Sequence, residues 1–206
     1  MHALASSRAL DALPLLVRAF DEDPLFRFFA PEKETRARFV GEVMRTNLEM
    51  TAPRGHARVI EDPALRAACL WVPPGGQPKA ASVASIRAAA VARTLARWAR
   101  HGREQARIGD ALRVATLMEE AHPKEPHYYL QVLAVDPPWH GRGLGSAMLR
   151  EIAREADRDG VPAVLETAKA LNVALYRRHG FEVVRETRVA SSPPLWTMLR
   201  APRSEL

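Results

Sequence analysis

Residues 127–160, HYYLQVLAVDPPWHGRGLGSAMLREIAREADRDG, constrain the fold more than any other part of this chain. The first eleven are almost all apolar, β-branched or aromatic, the composition of a strand covered on both faces. Three alternating glycines follow, Gly141, Gly143 and Gly145, and then a helical period over 143–158 with Leu144, Ala147, Met148, Ile152 and Ala156 on one face. Gly160 and Pro162 end it. A strand, a glycine turn and a helix start form an anion site, because the first helical amides lack intrahelical partners and carry the positive end of the dipole. Two familiar nucleotide loops are excluded by spacing. Counted from Gly141, the sixth position is Ser146 rather than glycine, and no Gly-Lys-Ser or Gly-Lys-Thr occurs.

The rest of the chain arranges itself around this unit. Residues 1–54 read as mostly helical: two short helices in RALDALPLLVRAFDEDPLFRFF, broken at Asp21 to Pro24, and a longer one over 32–50, with a very short strand at 2–5. HARVIED and LRAACLWVPPGG predict a hairpin. An Ala/Arg/Leu-rich segment, 78–122, predicts inserted helices with a break at His101-Gly102, closed by Pro123 and Pro126. Downstream, PAVLETA is a buried strand, LNVALYRRHG a short helix capped by Gly180, and FEVVRETRV with PLWTMLR a closing strand pair. The chain of 206 residues is long enough for one α/β domain with a real core, spanning 1–206, its last third (127–200) the ligand-binding part.

Composition narrows the function classes. At 47% hydrophobic and 26% charged residues the chain is an ordinary globular protein, not a disordered one. Cys69 is the only cysteine, so an internal disulfide and a cysteine-based metal site are both excluded, no metal is expected, and a reducing compartment fits. No apolar run approaches the ~20 residues of a membrane span. The opening MHALASSRAL lacks a signal peptide's apolar core, and a cytoplasmic location without a membrane partner is expected. The net charge of +6 would draw the protein toward phosphorylated ligands. Much of it lies where Arg87, Arg93, Arg97, Arg100, Arg103, Arg107 and Arg113 outnumber Glu104 and Asp110. No aromatic platform accompanies these arginines, which favours a solvated helix face over a nucleic-acid surface.

WHGRGLGSAML together with LETAKALNVALYRRHGFEVV resembles the GNAT (GCN5-related) N-acetyltransferases. Their signature, Gln or Arg, two variable residues, Gly, one variable residue, then Gly or Ala, maps onto His140, Gly143 and Gly145, with His140 off pattern. The second stretch is similar to the family's next strand, its Asn-to-Tyr helix and its Gly-Phe strand start. A more local likeness, in DEDPLF, LWVPPG, VLAVDP, LET and WTM, is to the puromycin N-acetyltransferase branch.

The resemblance implies a GNAT-like mixed sheet, mostly antiparallel, of six to seven strands, splayed between its fourth and fifth strands, flanked by helices and carrying an additional helical segment before the fourth. It implies acetyl-CoA as cofactor, with Leu133, Ala134 and Val135 along the pantetheine arm. His140, Gly141, Arg142, Gly143, Leu144, Gly145 and Ser146 would hold the pyrophosphate, and Asn172 and Tyr176 would complete the site. The expected partner is a small-molecule amine, and a homodimer is compatible with the family.

Tyr176, four residues after Asn172 and so on the same helix face, is the expected general acid. Glu166 is the first choice for the base, since a partly buried carboxylate with a raised pKa can take an ammonium proton. Asp21 and Glu22 are alternatives for binding a cationic acceptor. Gln131 stands where several relatives carry Glu; it can touch substrate but cannot be a base. Trp71 and Trp196 are expected near the acceptor pocket or in the core, and His127 and His140 flank the site. Two further readings stay open: a non-catalytic module that binds an acyl-CoA, and a nucleic-acid-binding protein using the arginine-rich helices.

Overall fold

The computed structural model describes residues 1–75 and 107–203. Seven strands form one sheet: β1 (His2–Ala3), β2 (Ala57–Glu61), β3 (Leu65–Val72), β4 (Tyr128–Val135), β5 (Ala163–Thr167), β6 (Glu182–Thr187) and β7 (Leu195–Arg200), in the order β1-β2-β3-β4-β5-β7-β6. Every pairing is antiparallel except β4 with β5. The helices are α1 (Leu13–Phe20), α2 (Pro24–Phe29), α3 (Lys33–Thr51), α4 (Ile108–Ala121), α5 (Leu144–Arg158) and α6 (Ala170–Arg177), with 3-10 turns at Ser6–Ala12, Ala52–Arg54 and Pro137–Trp139. Of the expected inserted helices, α4 is described; the break at His101-Gly102 and the arginines from Arg87 to Arg103 lie outside the described residues.

The helices cover both faces of the sheet because each presents one apolar stripe. On one face Leu15, Leu16, Val40, Met44 and Leu48 pack on Val59, Leu70, Val132 and Ala134. On the other, Met148, Leu149, Ile152 and Ala156 of α5 pack with Tyr176 and Phe181 on Leu130, Leu165 and Met198. Full burial of each such side chain stabilises by about 1.5–3 kcal/mol before entropy is counted. A third cluster, with Leu25, Phe29, Phe39, Val114 and Leu195, seats α2 and α4.

Two irregularities make the site. In β4 the register against β3 jumps from Leu70 opposite Val132 to Trp71 opposite Leu130, which leaves Gln131 as an extra, bulged residue. The parallel pairing of β4 with β5 covers only Tyr128–Leu130 against Ala163–Leu165. Past that point the two strands diverge, the splay expected from the resemblance. Asp136 N–H donates to Arg66 O on β3 at 2.8 Å. In an antiparallel ladder this assigns the main-chain groups of Ala134 to β3 and turns those of Leu133 and Val135 into the opening beside β5.

Candidate active site

The glycine turn sits at the open end of the splay. Gly141 and Gly143 have φ of +74° and +77°, values an L residue adopts only at a cost, and a Cβ on either would meet nothing within 4 Å. Gly143 is the N-cap of α5, and no side chain caps this end, so the first amides face out of the turn. Gly145 lies against Val135, a Cβ there coming to 3.7 Å of Val135 Cγ2. The turn is anchored on the far side of β4, where Arg18 of α1 grips Asp136 with two hydrogen bonds of 2.9 and 2.8 Å. Anionic and extended ligands both find donors here: uncapped amides at the helix start and an unpaired strand edge leading away from it. The residues present therefore fit the pyrophosphate and amide-bearing arm of coenzyme A.

Three side chains stand differently from the sequence expectation. His140, expected on the anion side, turns back and donates from Nε2 to Val135 O at 2.9 Å, clipping the turn to the strand end. Arg142 lays its guanidinium over the Trp139 ring at 4.5 Å, with Arg66 over the same ring at 3.8 Å. Trp71 is 1% exposed, stacked on Tyr128 with centroids 4.5 Å apart and donating from Nε1 to Glu155 of α5 at 3.1 Å. It is a core residue on the α5 side, with no face left for an acceptor. Trp196 packs partly buried against the same cluster and donates to Glu186.

Tyr176, on α6, is buried with its ring edge-on to Phe181. Burial first, and then the nearby Asp23 carboxylate, push its phenol well above the ordinary value. It carries its proton at any working pH. Asn172 lies one turn earlier on α6, half-buried.

The three acids of the early turn are held in three different ways. Asp21 is tied to the buried Arg36, which donates from Nε to Asp21 O at 2.7 Å and to Oδ1 at 3.2 Å, so it holds the chain turn. Glu22 pairs with Arg27 on the surface. Asp23 is the carboxylate whose charge acts on the Tyr176 phenol. Its Oδ1 accepts from Leu25 N–H and Phe26 N–H as the cap of α2. Burial raises its pKa, opposed by those two amides and by the charge of Lys169. The Asp-Pro-Leu pattern is an N-cap signal legible in the sequence, but only the tertiary structure brings its charge to bear on Tyr176 of α6.

At the fork, Gln131 and Glu166 occupy corresponding positions one step past the last paired residues. Gln131 donates from Nε2 to Asn47 Oδ1 at 3.2 Å, while its Oε1 is buried without a partner. The Glu166 side chain is 3% exposed and meets His122, at the end of α4, through an Nε2 to Oε1 contact of 2.9 Å. His122 and Asn47 carried no signal that sequence reasoning could use. No helix among the described residues is long and apolar enough to cross a membrane.

Residues 93–183 match the model of the acetyltransferase (GNAT) domain family. Solved structures match along the whole chain. One is histone acetyltransferase HPA2 and related acetyltransferase from Corynebacterium glutamicum, at 22% identity and a TM-score of 0.67, covering 98% of this chain and 96% of that one. A second is the Drosophila melanogaster polyamine N-acetyltransferase that forms N-acetylagmatine, at 16% identity and a TM-score of 0.68, covering 97% and 98%. A third is the mosquito arylalkylamine N-acetyltransferase-like 5b, at 16% identity and a TM-score of 0.65, covering 97% and 98%. At such identities the likeness is one of fold, and that fold is the GNAT acetyltransferase fold.

Proposed function

We propose that this chain is an acetyl-CoA-dependent N-acetyltransferase that moves an acetyl group to the amine of a small molecule by direct attack. The observation that carries the reading is the continuity of three features: the uncapped glycine start of α5, the unpaired half of β4 and the buried Tyr176 beside their junction. Acetyl-CoA supplies the activated acyl group as a thioester. In this reading Arg142 to Ser146 bind the pyrophosphate through main-chain amides, and Leu133 and Val135 bind the arm through the strand edge. Ala134, whose main-chain groups serve β3, contributes shape only.

Each chemical need then has a group in this chain. Tyr176 holds a proton at Oη for the departing sulfur. The same burial that raises the phenol would raise a thiolate formed beside it, so transfer between them is not opposed by the ordinary difference in acidity. Asp23, with one carboxylate oxygen fixed by the α2 amides, orients a cationic acceptor next to Tyr176. Gln131 Oε1 accepts a hydrogen bond from the acceptor at the fork, and Glu166 takes its proton. The neighbours named for polyamine and arylalkylamine acetylation support a small amine as the acceptor class. The sequence likeness to the puromycin branch belongs to this proposal and is carried by DEDPLF, LWVPPG, VLAVDP, LET and WTM alone.

Thiol release from acetyl-CoA over a panel of agmatine, polyamines and arylalkylamines, with calorimetric cofactor binding alongside, tests the reading. Release above background with at least one amine is expected. Cofactor binding without release for any amine would replace the enzyme by the non-catalytic acyl-CoA-binding module.

A further inference from the structure

Glu166 does not stand alone. Its Oε1 meets His122 Nε2 at 2.9 Å, His122 Nδ1 meets His127 Nε2 at 3.3 Å, and His127 Nδ1 meets Glu125 O at 2.8 Å. The line begins at the fork of β4 and β5, crosses the end of α4 and finishes on the backbone of the 123–126 loop. The residues are strung out rather than gathered round a point, and among the described residues no group of three or more His, Cys, Asp and Glu is placed to hold a metal ion. Among the described residues, the titratable groups around His122 include Glu166 from β5, His127 and Glu125 from the segment entering β4, and Tyr129 of β4, whose ring meets the imidazole edge-on at 4.4 Å.

Proton counting gives the line a direction. A carbonyl only accepts, so His127 Nδ1 carries a hydrogen and, in the neutral ring, Nε2 is a lone pair. A neutral His122 then has one hydrogen for two contacts: placed on Nδ1 it leaves a lone pair against the carboxylate, and placed on Nε2 it leaves two lone pairs facing each other. All three contacts are hydrogen-bonded only when the line holds one more proton than two neutral imidazoles and a carboxylate. Gaining that proton also brings the buried group from a net charge of −1 to zero, which a low-dielectric site favours. Burial, the facing His122 and the pull of Glu166 and Glu125 act on His127 together, and burial prevails, lowering its pKa, so the added proton does not rest at the far end.

We propose that Glu166, His122 and His127 form a single proton-accepting chain for the transfer reaction: the acceptor ammonium loses its proton to Glu166, and the hydrogen-bonded line stores it on the His122–Glu166 pair. This rests on the transferase reading and deepens it. The balance is closed, since R–NH3+ and the chain at −1 become R–NH2 and the chain at zero. Glu166 is the residue that meets the acceptor, and His122 and His127 are positioning residues that set its proton affinity.

The test uses the full chain labelled with 15N at histidine, with His122→Gln and His127→Gln assigning the ring signals. In the wild type the two rings should take up a proton as one coupled step, and Glu166→Gln should break that step, since it removes the carboxylate that His122 Nε2 meets. The acidic limb of kcat/KM should move with that step in His127→Gln. Rings that titrate independently, or a His122 step unmoved by Glu166→Gln, in a wild type that acetylates amines would overturn the chain and leave the transferase standing. A wild type inactive toward every amine would overturn both, whatever the ring signals show.

Discussion

Replacing Tyr176 by Phe isolates one hydroxyl in the proposed mechanism. The ring is 6% exposed, packs edge-on to Phe181 at 6.0 Å, and belongs to the cluster formed with Met148, Ile152 and Leu165. Phenylalanine keeps that packing, so the cost in folding stability should stay within about 1 kcal/mol, the scale of one hydrogen bond. Because the phenol is held well above its ordinary pKa by burial and by Asp23, it is a filled proton donor throughout the assay range. Its loss removes a donor needed only as the sulfur departs. A positioned acid contributes about 10²–10⁴ in rate, or about 3–5 kcal/mol of barrier. Turnover should therefore fall by that factor while acetyl-CoA affinity changes by less than roughly threefold, because an interaction made only in the transition state does not enter ground-state binding. Steady-state thiol release, calorimetric cofactor binding and thermal unfolding measure the three quantities on one preparation. Wild-type turnover in Tyr176→Phe would refute the acid role, and a parallel loss of cofactor binding would make Tyr176 a binding residue instead.

Gly143→Glu should abolish acetyl-CoA binding, since a carboxylate at the α5 start would fill and repel the anion site; calorimetry with retained wild-type affinity would refute the loop assignment. Asp157→Asn probes a structural pair, since Arg200, 3% exposed, donates to both Asp157 oxygens at 2.7 Å and holds the carboxyl below its usual range. A depressed folded-state pKa adds stability above the unfolded value of 3.8 that is lost as pH falls through the folded value. The variant should lower the unfolding temperature at neutral pH and flatten its acid dependence below about pH 4, and an unchanged slope there in a thermal scan would refute the pairing. Met148→Ala, at 0% exposure under the sheet, should cost about 2–5 kcal/mol in denaturant unfolding without altering the site's chemistry.

Much of the frame was legible in residues near one another in the chain. The apolar strand, the three glycines and the amphipathic helix after them declare a strand, turn and helix because each is decided by local geometry: side-chain period, tolerance of positive φ, and helix stop signals. The strands at Ala57–Glu61, Leu65–Val72 and Ala163–Thr167 and the helix Ala170–Arg177, with Gly180 in the turn after it, follow from the same rules. The turn at Asp21 to Pro24 was equally visible as punctuation.

What the tertiary structure alone decided is which of several equivalent side chains meet. Asp21, Glu22 and Asp23 are three acids in a row, yet Arg36 from α3 takes Asp21, Arg27 takes Glu22, and Asp23 is the one whose charge acts on Tyr176 of α6. His140 looked like a phosphate donor until the strand end offered it a nearer acceptor. Glu166, His122 and His127 join residues up to 44 apart in sequence, on a strand, a helix end and a loop. Such contacts have no local signature, because they depend on where α4 is set down beside the fork rather than on any preference of the residues themselves. The sequence by itself determined that a glycine turn leads into a covered helix; the packing of α2, α4 and β5 around the splayed strands determined which carboxylates and histidines meet beside it.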